Sequence, residues 1–120
     1  MIQPFRIAIA GLGTVGVGVI KLLEANRALI TRRAGRPVKV VAVSSRDRGR
    51  DRGVDLAGFD WIDDAAQLAT RDDIDVVVEL IGGSDGPAVI LARSTIAHGR
   101  AFVTANKAMI AHHEIGRAHV

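Results

Sequence analysis

"FRIAIAGLGTVG", residues 5 to 16, joins a short apolar run to a glycine pattern and then to a helical repeat. Phe5 to Ala10 lacks the alternation of a half-exposed strand; continuous apolar runs of this length belong to strands buried on both faces of a parallel sheet. Gly11, Gly13 and Gly16 follow at G-x-G-x-x-G spacing. In a chain with 13 glycines the spacing alone is weak, but between a strand and an amphipathic helix it has a physical reason. Gly11 permits the tight turn, Gly13 lets backbone approach a pyrophosphate, and Gly16 lets helix and strand pack closely. The helix start adds open amide groups and a partial positive charge. Gly11, Leu12, Gly13, Thr14, Val15 and Gly16 are therefore candidate contacts for a dinucleotide.

Working outward, Val38 to Val43, Asp75 to Leu80 and Ala101 to Ala105 repeat the buried-strand composition. Val15, Val19, Leu22, Leu23, Leu29 and Ile30 recur at helical spacing and predict one helix, stopped by Gly35 and Pro37. Asp64 is positioned to cap a short helix over "AAQLA", and Pro87 suits the first turn of a helix from about Gly86 to His98, with Gly99 beyond it. Strands and helices thus alternate, which predicts a doubly wound parallel α/β sheet of the Rossmann type with right-handed crossovers.

The 120 residues, 48% of them hydrophobic, suffice for one core and no more. No cysteine is present, which rules out disulfides and cysteine-based zinc sites and permits a reducing cytoplasm. His98, His112, His113 and His119 form no metal-ligand spacing, so no metal site is expected. Arg6 and the glycines interrupt any signal peptide, and no run approaches the about 20 apolar residues of a membrane span. The net charge of +3 resides mainly in Arg27, Arg32, Arg33, Arg36 and "RDRGRDRG", Arg46 to Gly53. Interleaved aspartates and 3% aromatic residues argue against a base-stacking surface, and nucleic-acid binding is not expected.

An acidic residue at the end of the second strand would bind an adenosine ribose 2′-hydroxyl. Here that strand ends "VSSRDR", and Ser44, Ser45 and Arg46 offer hydroxyls and a guanidinium suited to a 2′-phosphate. NADP is favoured; Asp47, one residue on, keeps NAD open. Glu79 within an apolar strand either anchors a neighbouring backbone or faces the cofactor, and the first reading is preferred. Asp72, Asp73 and Asp75 read as a solvated acidic turn. From the residues alone, Lys107 reads as a surface lysine.

With the glycine turn, "VVVELIGG" (Val76 to Gly83) and "VTANKAM" (Val103 to Met109) in this order, the chain resembles the amino-terminal nucleotide-binding part of homoserine dehydrogenase, from about Arg6 to His113. The resemblance implies an NAD(P)-dependent oxidoreductase that interconverts L-homoserine and L-aspartate 4-semialdehyde in threonine and methionine biosynthesis. It implies a small-molecule substrate, a cytoplasmic location and a homo-oligomeric full-length enzyme. By position it carries the nicotinamide side onto Ile81, Gly82, Gly83 and Thr104, and makes Lys107 the ammonium that polarises the aldehyde oxygen or moves a proton. The start at Met1, just before the first strand, resembles the stand-alone enzyme more than a form fused behind a kinase.

The expected division is a partial Rossmann domain over residues 1–113, incomplete at its C-terminal end, and a non-native tail over 114–120. "EIGRAHV" departs from the family pattern and back-translates into a common sequencing-adapter sequence. On that expectation the family's substrate-binding part and remaining catalytic residues are missing, and the chain alone is inactive. Two alternatives stay open: another Rossmann NAD(P)-dependent oxidoreductase, which the residues after the fourth strand discriminate, and a non-catalytic dinucleotide-sensing domain.

Overall fold

The computed structural model describes residues 3–46, 53, 55–81 and 86–105. Its elements are β1 (Phe5–Ala10), α1 (Thr14–Ala25), α2 (Arg27–Ala34), β2 (Val38–Ser44), β3 (Asp60–Trp61), a 3₁₀ segment (Ala65–Thr70), β4 (Val76–Glu79), α3 (Pro87–Ala97) and β5 (Ala101–Thr104). The strands form one sheet in the order β3-β2-β1-β4-β5, and every pairing is parallel.

Side chains of β1 divide the core in two. Ile7 and Ile9 pack with Leu12, Ile20 and Val76 on the face covered by α1, while Ala8 and Ala10 pack with Leu68, Val77, Leu91 and Ala92 under the 3₁₀ segment and α3. β1 thus presents large side chains to one face and alanines to the other. Each large aliphatic side chain so buried contributes about 1.5–3 kcal/mol. The apolar, non-alternating strands of the sequence are thus explained by helices on both faces.

Strand β2 departs from simple alternation. Ile7 pairs with Val40 but Ala8 pairs with Ala42, so one extra residue is accommodated in β2 at this point. Val41 and Ala42 consequently both pack toward the α3 side, and Val40 and Val43 toward the α1 side.

The single helix expected over Val15 to Ile30 is two helices. It breaks at Asn26, whose backbone (φ −115, ψ 24) leaves the helical region; its N–H and its Nδ2 both donate to the Leu22 carbonyl, at 3.1 and 3.0 Å. Beyond the break α2 buries none of its residues. Gly35, in the left-handed region at φ 77, ends it. Asp64 caps as expected, accepting from the Ala66 N–H at 3.1 Å, but the segment is 3₁₀. Pro87 occupies the first turn of α3, with Gly86 and His98 as its caps. No helix among the described residues is long and apolar enough to cross a membrane.

Candidate functional site: the carboxyl edge of the sheet

One row of paired residues crosses the sheet at its carboxyl edge: Ser44 of β2 beside Ala10 of β1, Ala10 beside Glu79 of β4, and Glu79 beside Thr104 of β5. Connections leave β1 toward β2 on one side and β4 leads to β5 on the other. The crevice outside β1 and β4 is therefore the point at which an open α/β sheet takes its ligand.

The three motif glycines do different work there. Gly11 has φ 101, and a Cβ on it would stand 2.7 Å from the Leu80 carbonyl carbon and 2.8 Å from the Ile81 nitrogen. Its missing side chain thus serves the close approach of the β4 exit as well as the turn, a partner that the spacing alone did not disclose. A Cβ on Gly16 would lie 2.1 Å from the Gly11 carbonyl oxygen, so the start of α1 sits directly on the turn. Around Gly13 nothing lies within 4 Å of the Cβ position. Gly11 and Gly16 close the protein upon itself; Gly13 leaves the approach clear. Backbone bonds fix the turn on both sides, from the Gly11 N–H to the Ser44 carbonyl and from the Leu80 N–H to the Ala10 carbonyl, both 2.8 Å.

Gly13 caps α1 without a side-chain partner, and Thr14 and Val15 are exposed beside it. This arrangement presents helix-start amides to an anion. Leu12 is buried in the α1-side core, so only its backbone can face the crevice. At the end of β2, Ser44 is buried, Ser45 half-buried and Arg46 exposed. The opposite end holds Ile81 and Thr104, both half-buried. Gly82, Gly83, Asn106 and Lys107 lie outside the described residues.

Glu79 is fully buried. One carboxyl oxygen accepts from the Ile81 N–H at 2.6 Å and the other from the Thr104 hydroxyl, through a short hydrogen bond. The preferred sequence reading, an anchor for a neighbouring backbone, is what the geometry shows; the link to β5 had no signal in the spacing.

A cavity of about 320 Å³ lies elsewhere, at the amino ends of β1 and β2, lined by Pro4, Ile20, Leu23, Val38, Lys39 and Phe59 among others. It stands away from the glycine turn and from the edge at which parallel sheets bind ligands, so it is not the dinucleotide crevice.

The all-parallel sheet with this glycine turn at its centre defines a dinucleotide-binding Rossmann domain. Within that class, residues 11–118 match the model of the homoserine dehydrogenase NAD-binding domain, and the chain belongs to that family. It is 40% identical over 113 residues to homoserine dehydrogenase of Helicobacter pylori, covering 94% of this chain and 26% of that protein. To the Pseudomonas aeruginosa homoserine dehydrogenase it is 42% identical, covering 92% of this chain and 25% of the relative. The solved homoserine dehydrogenase of Thiobacillus denitrificans superposes with a TM-score of 0.84 at 38% identity, over 93% of this chain and 26% of that one. The chain thus spans about a quarter of the length of the curated relatives it matches, the part that carries the nicotinamide dinucleotide.

Proposed function

We propose that this chain is the cofactor-holding part of a homoserine dehydrogenase that interconverts L-homoserine and L-aspartate 4-semialdehyde in threonine and methionine biosynthesis. The observation that carries this reading is the family match over residues 11–118, laid on a carboxyl edge whose turn leaves open space at Gly13. The nicotinamide, when bound, supplies or accepts hydride at the carbon that is alcohol in one substrate and aldehyde in the other.

The residues of this chain hold and orient. The amides at the start of α1, from Thr14 to Gly16, take the pyrophosphate, which an added Cβ at position 13 would obstruct. Arg46, exposed at the end of β2 beside Ser45, favours a 2′-phosphate and hence NADP, with NAD the weaker ligand. Ile81, Gly82, Gly83 and Thr104 bound the nicotinamide half. Lys107 supplies the ammonium that stabilises charge on the reacting oxygen. Substrate-binding residues belong to the remaining three-quarters of the enzyme, which is cytoplasmic and homo-oligomeric on this reading.

Fluorescence titration of the chain tests the first half: NADPH binds, and more tightly than NADH. A folded chain that binds neither overturns the reading. Homoserine and NADP with the chain alone give no cofactor reduction; clear turnover refutes the division of labour. In the full-length enzyme Lys107→Ala lowers the rate about a hundredfold, the usual worth of one positioned charge donor, and leaves NADP binding within a few fold. Wild-type kinetics would return Lys107 to the surface.

A further inference from the structure

We infer that Glu79 is a positioning residue, a clamp that sets the exits of β4 and β5 against each other and so shapes the half of the crevice that receives the nicotinamide, an inference that rests on the dinucleotide reading above. Glu79 ends β4, where alternation turns its side chain to the same face as Val77, among the buried small and apolar residues beneath α3. An acidic group there is costly unless its oxygens are satisfied. Both are used, and by groups that lie at the carboxyl edge: the Ile81 N–H, two residues along the chain, and the Thr104 hydroxyl, 25 residues away on the adjacent strand.

The turn after β1 enters the same assembly. The Leu80–Ile81 peptide that the clamp fixes is the one against which Gly11 is pressed, at 2.7 to 2.8 Å from its Cβ position. Glu79 thereby fixes the exits of β1, β4 and β5 relative to one another through one hydrogen-bonded group and one backbone contact. A dinucleotide with its pyrophosphate at the start of α1 and its adenosine ribose over the end of β2 lays its other half over β4 and β5. Disturbing the clamp should consequently be felt at one end of the ligand and not at the other.

Two ligands separate the ends: NADPH, and ADP-ribose 2′-phosphate, which is the same molecule without its nicotinamide. Both are titrated against the chain by calorimetry, with folding checked by circular dichroism. Glu79→Leu removes both acceptors and is expected to weaken NADPH about tenfold, the scale of one or two lost hydrogen bonds, while changing ADP-ribose 2′-phosphate less than twofold. Glu79→Gln is expected to restore most of the loss, since its amide oxygen accepts from Ile81 and its amide nitrogen donates to the Thr104 hydroxyl. If Glu79→Leu does not fold, Thr104→Val, which deletes the hydroxyl bond from β5 to Glu79, is expected to show the same one-sided loss at about threefold. Equal losses for both ligands, or none, in a wild-type chain that binds both would overturn the clamp alone. A folded wild-type chain that binds neither overturns the dinucleotide reading, and the clamp with it.

Discussion

At the amino edge of the sheet, charged side chains tie the strand entrances together. Asp75 accepts from the Arg6 backbone N–H at 2.8 Å and from its guanidinium at 3.4 Å; Arg71 reaches Asp60 at 2.7 Å and Asp73 through two nitrogens; Arg100 donates to the Arg71 carbonyl and lies 3.6 Å from Asp72. Arg36 covers the Phe5 ring at 4.8 Å. At the carboxyl edge the strand exits are held instead by backbone pressed on glycine and by one buried acid. Solvated ion pairs are individually weak and tolerate exchange, whereas contacts closer than a Cβ allows tolerate nothing. The carboxyl edge is held by close backbone contact around a buried acid and the amino edge by exposed charges.

The sharpest way to break this contrast is at the glycines. Gly16→Ala places a methyl 2.1 Å from the Gly11 oxygen and should destabilise the chain by about 3 kcal/mol, the upper range for overpacking. Gly13→Ala meets open space at φ −76, so the thermal midpoint should stay nearly constant while NADPH affinity falls at least about tenfold, as the methyl keeps backbone from the pyrophosphate. Thermal unfolding of both variants with and without NADPH checks the pair. Similar midpoints for the two would remove the distinction between closing and open glycines.

Charge at the carboxyl edge should matter to the ligand and not to the fold. Arg46→Ala removes a charge-assisted contact of about 1.5–3 kcal/mol, so NADPH should weaken tenfold or more while NADH changes little and unfolding is unaltered. Equal losses for both cofactors would mean that Arg46 reads no phosphate. Charge at the amino edge should do the reverse. Asp73, first, and Asp60 hold the Arg71 guanidinium further into its charged form, but those carboxylates are 46% and 67% exposed, and solvent screening limits the effect. Arg71→Met should lower stability by about 1 kcal/mol without moving NADPH affinity. A change in affinity would show that the two edges are coupled.

How far the sequence disclosed these edges depends on where the physical cause lies. Four strands, the glycine turn, the Asp64 cap and the start of α3 at Pro87 were legible because each rests on neighbours in sequence: apolar runs, a cap, an imino ring. The break at Asn26 was not, since "EANRALI" keeps helical periodicity and contains neither glycine nor proline; its backbone angles and the bonds to Leu22 mark it only in three dimensions. Strand β3 has two residues and exists through pairing with Ala42 and Val43, a tertiary cause that leaves no periodic trace. The extra residue in β2 is hidden for the same reason. Among site residues, the turn at Gly11 and the close packing at Gly16 could be read from spacing, but the partner of Gly11 is 69 residues away in the chain at Leu80, and the Glu79–Thr104 link joins two strands. Long-range partners are legible only in three dimensions.

The smallest expected effect follows from acid. Asp75 is held below its ordinary value of 3.8, first by the Arg6 backbone N–H and then by the Arg6 guanidinium, against an opposing push from burial. Asp73 is lowered too, chiefly by its hydrogen bonds from Arg71. A carboxyl whose folded value is depressed binds its proton more readily in the unfolded chain. Its contribution is therefore present in full above the unfolded value, near 3.8, and is lost as pH falls through the lowered folded value. Stability should be insensitive to these groups from neutrality down to about pH 5 and should decline below that. Asp75→Asn keeps an acceptor for the Arg6 N–H but cannot titrate, so it should be less stable than the parent at neutral pH and should show a shallower decline in acid. Urea unfolding at a series of pH values measures both slopes. Parallel slopes would detach Asp75 from the acid response and leave the amino edge held by geometry, as the carboxyl edge is, rather than by charge.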